Sequence, residues 1–235
     1  MDAAVATALA AGVVQPAGSG LGGGGFAVWA VDGETGSLDF REMAPAGAHA
    51  DLYLDADGNV VDGQAGFNYA GFVIHSAIHA NVPDAKWIMH THTKEGAAVS
   101  CKRSGMTNTN FYSAMIWEHL AYHDFEGLTV HDDERERIVS SIGENPCVVL
   151  RNHGLLSHGR SVQEAFARLW TMQLACETQL LADSMAGDNI EISAEATRRS
   201  THDSGLFNSN DGATYTELFA ALQRIVDDKD SGYRH

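Results

Sequence analysis

Residues 147–185 read CVVLRNHGLLSHGRSVQEAFARLWTMQLACETQLLADSM. The apolar run Cys147–Leu150 is short enough for a buried strand. His153 and Gly154 follow it at once, and Gly154 lets the backbone turn sharply there. Ser161 then opens the clearest helix of the chain, running to Met185. Ser161 caps it, and Glu164, three residues on, completes a capping box. A helix this long reads as the cover of a sheet face or as a subunit contact.

Moving outward, AKWIMH (residues 85–90) is a second buried strand, and Thr93 caps a helix expected to reach Ser104. Before it, residues 67–82 carry apolar side chains at helical spacing until Pro83-Asp84 ends them. Residues 111–125 read as a helix followed by a strand near Ala121–His123. Residues 132–143 form a short charged helix with acids at its N-terminus, where the helix dipole favours them. Helices and strands thus alternate over 67–185, predicting an α/β or mixed α+β fold around a central sheet. Near the N-terminus, residues 2–14 are Ala-rich and helical in pattern, and Gly18–Gly25 is a glycine-rich loop. Phe26–Val31 is a strand, with 37–43 returning beside it as a hairpin, and Asp57-Gly58 marks a further turn. The tail, 186–235, is polar, with one short helix expected over Thr216–Val226.

The 235 residues are 44% hydrophobic, enough for one substantial domain or two small ones. Fifteen Lys and Arg against 31 Asp and Glu leave a formal charge of −16. Such a surface repels phosphate backbones and anionic lipid, so neither nucleic acid nor membrane is expected as a partner. Three scattered cysteines, Cys101, Cys147 and Cys176, make no disulfide framework, and a cytoplasmic location fits them. No apolar run approaches a membrane span. Asp2, with no basic residue before the apolar N-terminal stretch, argues against a secretory leader.

The stretch WIMHTHTK (87–94) places His90 and His92 two residues apart. On a strand, such residues face the same side. Two imidazoles so placed can bind a borderline cation such as Zn²⁺, and a catalytic site usually has a third protein ligand. His153, just past the second buried strand, is the candidate. By spacing alone, a histidine pair on a surface loop that binds nothing is about as probable. His75 and His79, four apart on a helix, are read as hydrogen-bonded helix residues, His119, His123 and His131 as parts of a polar stretch, and His158 as a turn residue.

These blocks together resemble the class II aldolase/adducin family. The resembling text runs from NYAGFVIHSAIHANVPDAKWIMHTHTKEGAAVS through LAYHDFEG to VVLRNHGLLSHGRSVQEAFARLWTMQLACETQLLA, with SGYRH at the end. The resemblance implies a three-layer α/β/α fold with a central, mostly antiparallel sheet and, in many members, a homotetramer. It implies a divalent metal, usually Zn²⁺ and sometimes Mn²⁺, held by His90, His92 and His153. Tyr112 falls near the place of a tyrosine that reaches a neighbouring active site; it and His75 are candidate proton donors. Read from the residues alone, Tyr112 is as readily a core aromatic beside Phe111. One departure matters: where sugar-phosphate aldolases keep an acid/base glutamate, this chain has Gly71. The family branch of adducin-like proteins and metal-dependent decarboxylases of hydroxylated ring acids resembles it better.

Residues 1–63 differ in kind. MDAAVATALAAGVVQPAGSGLGGGGFAVW, followed by LDFREMAPA, resembles part of a gamma-glutamyltransferase, in which Arg41 would meet a substrate carboxylate. The downstream catalytic threonine of that family is missing. The expected organisation is therefore an N-terminal segment, 1–63, packed onto a class II aldolase-like domain, 64–235. The implied activity is a metal-dependent lyase, aldolase or decarboxylase. It would act on a small hydroxy-carbonyl or hydroxy-acid substrate through a metal-stabilised enolate. The alternative is an adducin-like, non-catalytic interaction domain.

Overall fold

The structure, a computed structural model, describes residues 26–31, 38–42, 52–54, 60–62, 69–128, 133–207 and 213–229. Its centre is an eight-stranded sheet. The strands are β1 (Phe26–Val31), β2 (Leu38–Glu42), β3 (Leu52–Leu54), β4 (Val60–Asp62), β5 (Trp87–Thr91), β6 (Leu120–His123), β7 (Cys147–Leu150) and β8 (Gly154–Gly159). They lie in the order β4-β3-β2-β1-β5-β8-β7-β6. Only β6 and β7 run parallel; every other neighbouring pair is antiparallel. The expected hairpin is present, with Val31 opposite Leu38, and Arg41 lies on β2 opposite Val28. The Ala-rich stretch 2–14, the glycine loop, the Asp57-Gly58 turn and SGYRH lie outside the described residues.

Seven α-helices are described: α1 (Tyr69–Asn81), α2 (Lys94–Ser100), α3 (Phe111–Ile116), α4 (Glu134–Ile142), α5 (Val162–Ser184), α6 (Ala194–Phe207) and α7 (Ala213–Lys229). Strand alternation sorts them into two layers. Met89, Val149 and Leu155 point to one side and pack with Phe166, Leu169 and Met172 of α5. Their chain neighbours Ile88, Val148, Leu150 and Leu156 point to the other, against Ile74 and Ile78 of α1 and Ile138 and Ile142 of α4. Full burial of each such aliphatic side chain contributes about 1.5–3 kcal/mol. The result is helix, sheet, helix, in agreement with the expected three layers.

The caps behave as their chemistry predicts, with one difference. Thr93 Oγ1 accepts the Gly96 N–H, and Ser161 Oγ accepts that of Glu164. The Glu164 carboxylate, however, takes the N–H of Arg160 at 2.7 Å rather than returning to Ser161. It also meets the Arg168 guanidinium at 2.8 Å, so a second charge holds it where a simple capping box would not.

Three expectations need correction. The helix begun by Thr93 stops at Ser100, because the chain then turns to Gly105 at φ +63°. His158 is not a turn residue: it lies in β8, buried, with its Nε2 3.2 Å from the Asn145 carbonyl. The tail holds two helices, α6 and α7, where one was expected.

Candidate metal centre

Three segments build the centre. β5 carries His90 on the Ile88 side of the sheet, and His92 follows just beyond the strand's end. Beside that end, the turn 151–153 joins β7 to β8, the strand paired with β5. There the His153 N–H donates to the Leu150 carbonyl at 3.1 Å, and the Asn152 N–H to the Ser100 carbonyl at 3.1 Å. Asn152 sits at φ +56°, a left-handed conformation that asparagine tolerates better than most residues. Gly154 completes the turn for a steric reason. A Cβ there would lie 2.2 Å from the Thr91 carbonyl oxygen. Only a residue without a side chain lets β8 start against the end of β5.

The three rings then face one another. His90 Nε2 is 2.7 Å from His92 Nε2 and 3.3 Å from His153 Nε2. One ligand atom from each residue lies within 4.8 Å of the others, the only group of three metal-ligating side chains so placed among the described residues. Tetrahedral coordination at 2.0–2.1 Å requires neighbouring nitrogens about 3.3 Å apart. His90 to His153 meets that spacing, and His90 to His92 needs a small opening. His90 Nδ1–H donates to the Leu155 carbonyl at 2.8 Å, which fixes the tautomer and turns the Nε2 lone pair inward. The donor set therefore fits a divalent ion. His90 is buried while His92 is exposed, which leaves solvent access on one side.

All three imidazoles are held neutral, the form that binds metal. Burial is the main cause for each. It lowers His90 well below the usual histidine value, aided by His153 and His92 and opposed by the bond to Leu155. It lowers His92, and it takes His153 to about 4, with smaller contributions from His92 and His123. Burial also brings His158 to about 4 and His75 well below its ordinary value.

These shifts set a pH dependence. Below about pH 6.5 the unfolded chain protonates these histidines while the folded chain does not. The unfolded state then binds more protons, so stability falls as pH drops from about 6.5 towards 4. Metal-free protein is expected to melt several degrees lower at pH 5 than at pH 7. An unchanged Tm would contradict the buried, neutral histidines.

The other candidates are placed unevenly. His75 lies on α1, fully buried, close enough to His90 for their charges to interact. Its helix neighbour His79 donates Nδ1–H to the Ala85 carbonyl at 2.6 Å, tying the helix end to the strand that follows. Tyr112 packs against the α5-side cluster beside Phe111, with ring centroids 5.5 Å apart, and is not brought to the histidines within this chain. Gly71 opens the first turns of α1, and a Cβ there would meet nothing within 4 Å. One pair was missed. His123 and Glu134 are buried together with Nε2 to Oε1 at 3.3 Å, and both line a small cavity of about 10 Å³, room for one water, that His153 also lines. The LAYHDFEG block contained His123, but nothing in it named Glu134 as the partner.

The family profile of the class II aldolase and adducin N-terminal domain matches residues 37–180, well over half of the sequence. The chain belongs to the class II aldolase and adducin family. A gamma-glutamyltranspeptidase profile also matches, over residues 1–72, so the two overlap from 37 to 72. A relative from Pseudomonas aeruginosa, whose name places it in aldolase class 2, is 33% identical over 199 residues, covering 84% of this chain and 76% of that protein. Alpha-adducin of Rattus norvegicus is 40% identical over 145 residues, 59% of this chain but only 20% of adducin. A Caulobacter vibrioides relative with an aldolase class 2 name is 40% identical over 146 residues; the chain spans 57% of its length. Among solved structures, an aldolase II superfamily protein from Pseudomonas syringae superposes with a TM-score of 0.83 at 30% identity, covering 99% of this chain and 92% of that one. L-fuculose 1-phosphate aldolase from Glaciozyma antarctica shares the fold, with a TM-score of 0.74 at 22% identity over 96% of this chain and 86% of that one.

Proposed function

We propose that the chain is a metal-dependent carbon–carbon lyase acting on a small hydroxy-carbonyl or hydroxy-acid substrate. The observation that carries this reading is the convergence of three Nε2 atoms, from His90, His92 and His153, on one point open to solvent. These residues are assigned as ligands of a divalent ion, Zn²⁺ first and Mn²⁺ next. When bound, the ion supplies Lewis-acid stabilisation of the negative charge that bond cleavage leaves on substrate oxygen. The protein's part is to hold its imidazoles neutral by burial, to aim His90 through the Leu155 carbonyl, and to wall one side of the site with Phe125, whose ring lies 6.5 Å from that of His153. His75, behind His90, and Tyr112, from a neighbouring copy in a homotetramer, are the proton donors inferred from family position. The reading includes assembly of copies and cytoplasmic residence; the three free cysteines support the latter. Among the described residues no helix is long and apolar enough to cross a membrane. Residues 1–63 are read as a gamma-glutamyltransferase-like segment that supplies β1–β4 to the sheet of the domain 64–235.

A second reading, an adducin-like interaction domain without catalysis, is favoured by one observation: Gly71 leaves its place in α1 without an acid. Metal analysis and a turnover panel separate the two. The lyase reading expects about one divalent ion per chain and cleavage or decarboxylation of at least one hydroxy acid or ketol. Metal-free protein from metal-replete medium, or no turnover with any divalent ion, overturns it.

A further inference from the structure

We propose that the buried His123–Glu134 pair is the proton source of the centre, a role that rests on the lyase reading. His123 ends β6, at the position opposite Leu150 and thus beside the turn that carries His153. Glu134 begins α4, which packs across β6 from the α1 side. The two residues are 5% and 4% exposed, so neither is part of a solvated surface. They line one cavity with His153, Phe125, Leu150 and Ile74.

Hydrogen bonding shows what the pair holds. Ser141 Oγ donates to the Arg137 carbonyl at 2.7 Å, so towards His123 it accepts, and the Nδ1 atom 3.0 Å away carries a proton. On the other side, Nε2 and Oε1 at 3.3 Å need a proton between them, since two facing lone pairs repel. The pair is therefore loaded with one proton shared between imidazole and carboxylate and is neutral in sum, which makes its burial tolerable. The charge of His123 reaches His153, where it helps to lower that imidazole.

The step balances. The C–C bond of the substrate breaks, and its electron pair stays with the hydroxy-carbonyl fragment, while the other fragment leaves as CO₂ or as an aldehyde whose former hydroxyl proton passes to solvent. One proton leaves the pair for the α-carbon of that fragment, and water reloads the pair before the next turnover. Run backwards on a carbonyl compound with an α-hydrogen, the same pair, having first given its proton to solvent, takes that hydrogen off as a proton and returns one from solvent. The acid that Gly71 cannot supply thus comes from β6 and α4 instead of α1.

The test uses hydroxyacetone, Zn²⁺-loaded protein in D₂O, and the variants His123→Gln and Glu134→Gln. Wild type is expected to exchange the α-hydrogens, followed by proton NMR. Both variants are expected to keep one Zn²⁺ per chain and to exchange at least 100-fold more slowly, the low end of general acid–base catalysis. If His123→Gln weakens Zn²⁺ binding, Glu134→Gln, one residue further from His153, decides. A separate readout needs neither metal nor turnover. In ¹⁵N-histidine spectra of the metal-free protein at pH 7, both ring nitrogens of His123 are expected to be protonated, and Glu134→Gln to remove one proton. Variants that exchange as fast as wild type, or a neutral His123, overturn the pair's role and leave the lyase reading standing. A wild type that binds Zn²⁺ and carries a loaded pair yet exchanges nothing overturns the lyase reading, and the pair's role with it.

Discussion

His90→Ala is expected to abolish tight binding of divalent ions. His90 is the hub of the three rings: its Nε2 is the atom within 3.3 Å of both other ligand nitrogens. Its Nδ1–H is anchored on the Leu155 carbonyl, so it is also the imidazole whose direction the backbone sets. Without it, His92, exposed beyond the strand, and His153, on a turn, make a two-point site. Loss of a mere outer-shell partner of a metal ligand typically weakens binding 10–100-fold, so loss of the hub ligand is expected to exceed 100-fold. Calorimetric titration of the metal-stripped protein with Zn²⁺ reads this directly. A thermal readout accompanies it. An ion present at a thousandfold excess over its dissociation constant stabilises a folded chain by about 4 kcal/mol. The Zn²⁺-induced rise in Tm seen in wild type should therefore vanish in the variant. His79→Ala, which removes the Ala85 bond, serves as the control: it should lower stability and leave Zn²⁺ affinity intact. Equal affinity in wild type and His90→Ala would end the three-histidine assignment.

The second large effect is steric. Gly154→Ala places a methyl group 2.2 Å from the Thr91 carbonyl oxygen and 3.2 Å from His92 Cδ2. The first contact is with backbone, which has no flexible end to move aside. Either β8 withdraws from β5, breaking the Thr91–Leu155 register, or the turn bearing His153 is pushed out. Overpacking of this kind costs about 1–3 kcal/mol and sometimes more; a backbone clash belongs at the upper end. For a chain of this size each kcal/mol moves Tm by about 2–4 °C, so a drop of about 10 °C is expected, with weakened Zn²⁺ binding. Gly71→Ala makes the contrast. Its new Cβ meets nothing, and alanine favours a helix over glycine by about 1 kcal/mol, so stability should hold or rise. Equal melting of Gly154→Ala and wild type would show that β5 and β8 do not need the bare backbone.

The contrast between these glycines also separates what was readable in the residues from what was not. Gly154 follows a histidine at the end of an apolar run, so a tight turn was legible, as were the same-face His90 and His92 and the capped helix after Ser161. All of these are short-range patterns. The partner of His123 was not, because Glu134 reaches it from another element and the short helix around it reads only as charged surface. Helix α6 escaped for a different reason. Its inward face is built on Thr197 and Thr201, which bond to Asn108 and to the Ala114 carbonyl, so no apolar stripe announces it. The reciprocal bond of Glu164 shifted to Arg160 because Arg168, a turn further along the helix, competes for the same carboxylate.

Strand β5 is flanked on both sides, by β1 and by β8. The first four strands therefore act as a seal. Without them the backbone amides and carbonyls from Trp87 to Thr91 would stand open, offering any passing strand a template for recruitment. The histidine pair would then sit on a fraying margin, free to swing with it, instead of in the middle of a stiff slab. Whatever their origin, β1–β4 convert the rim of this sheet into its interior.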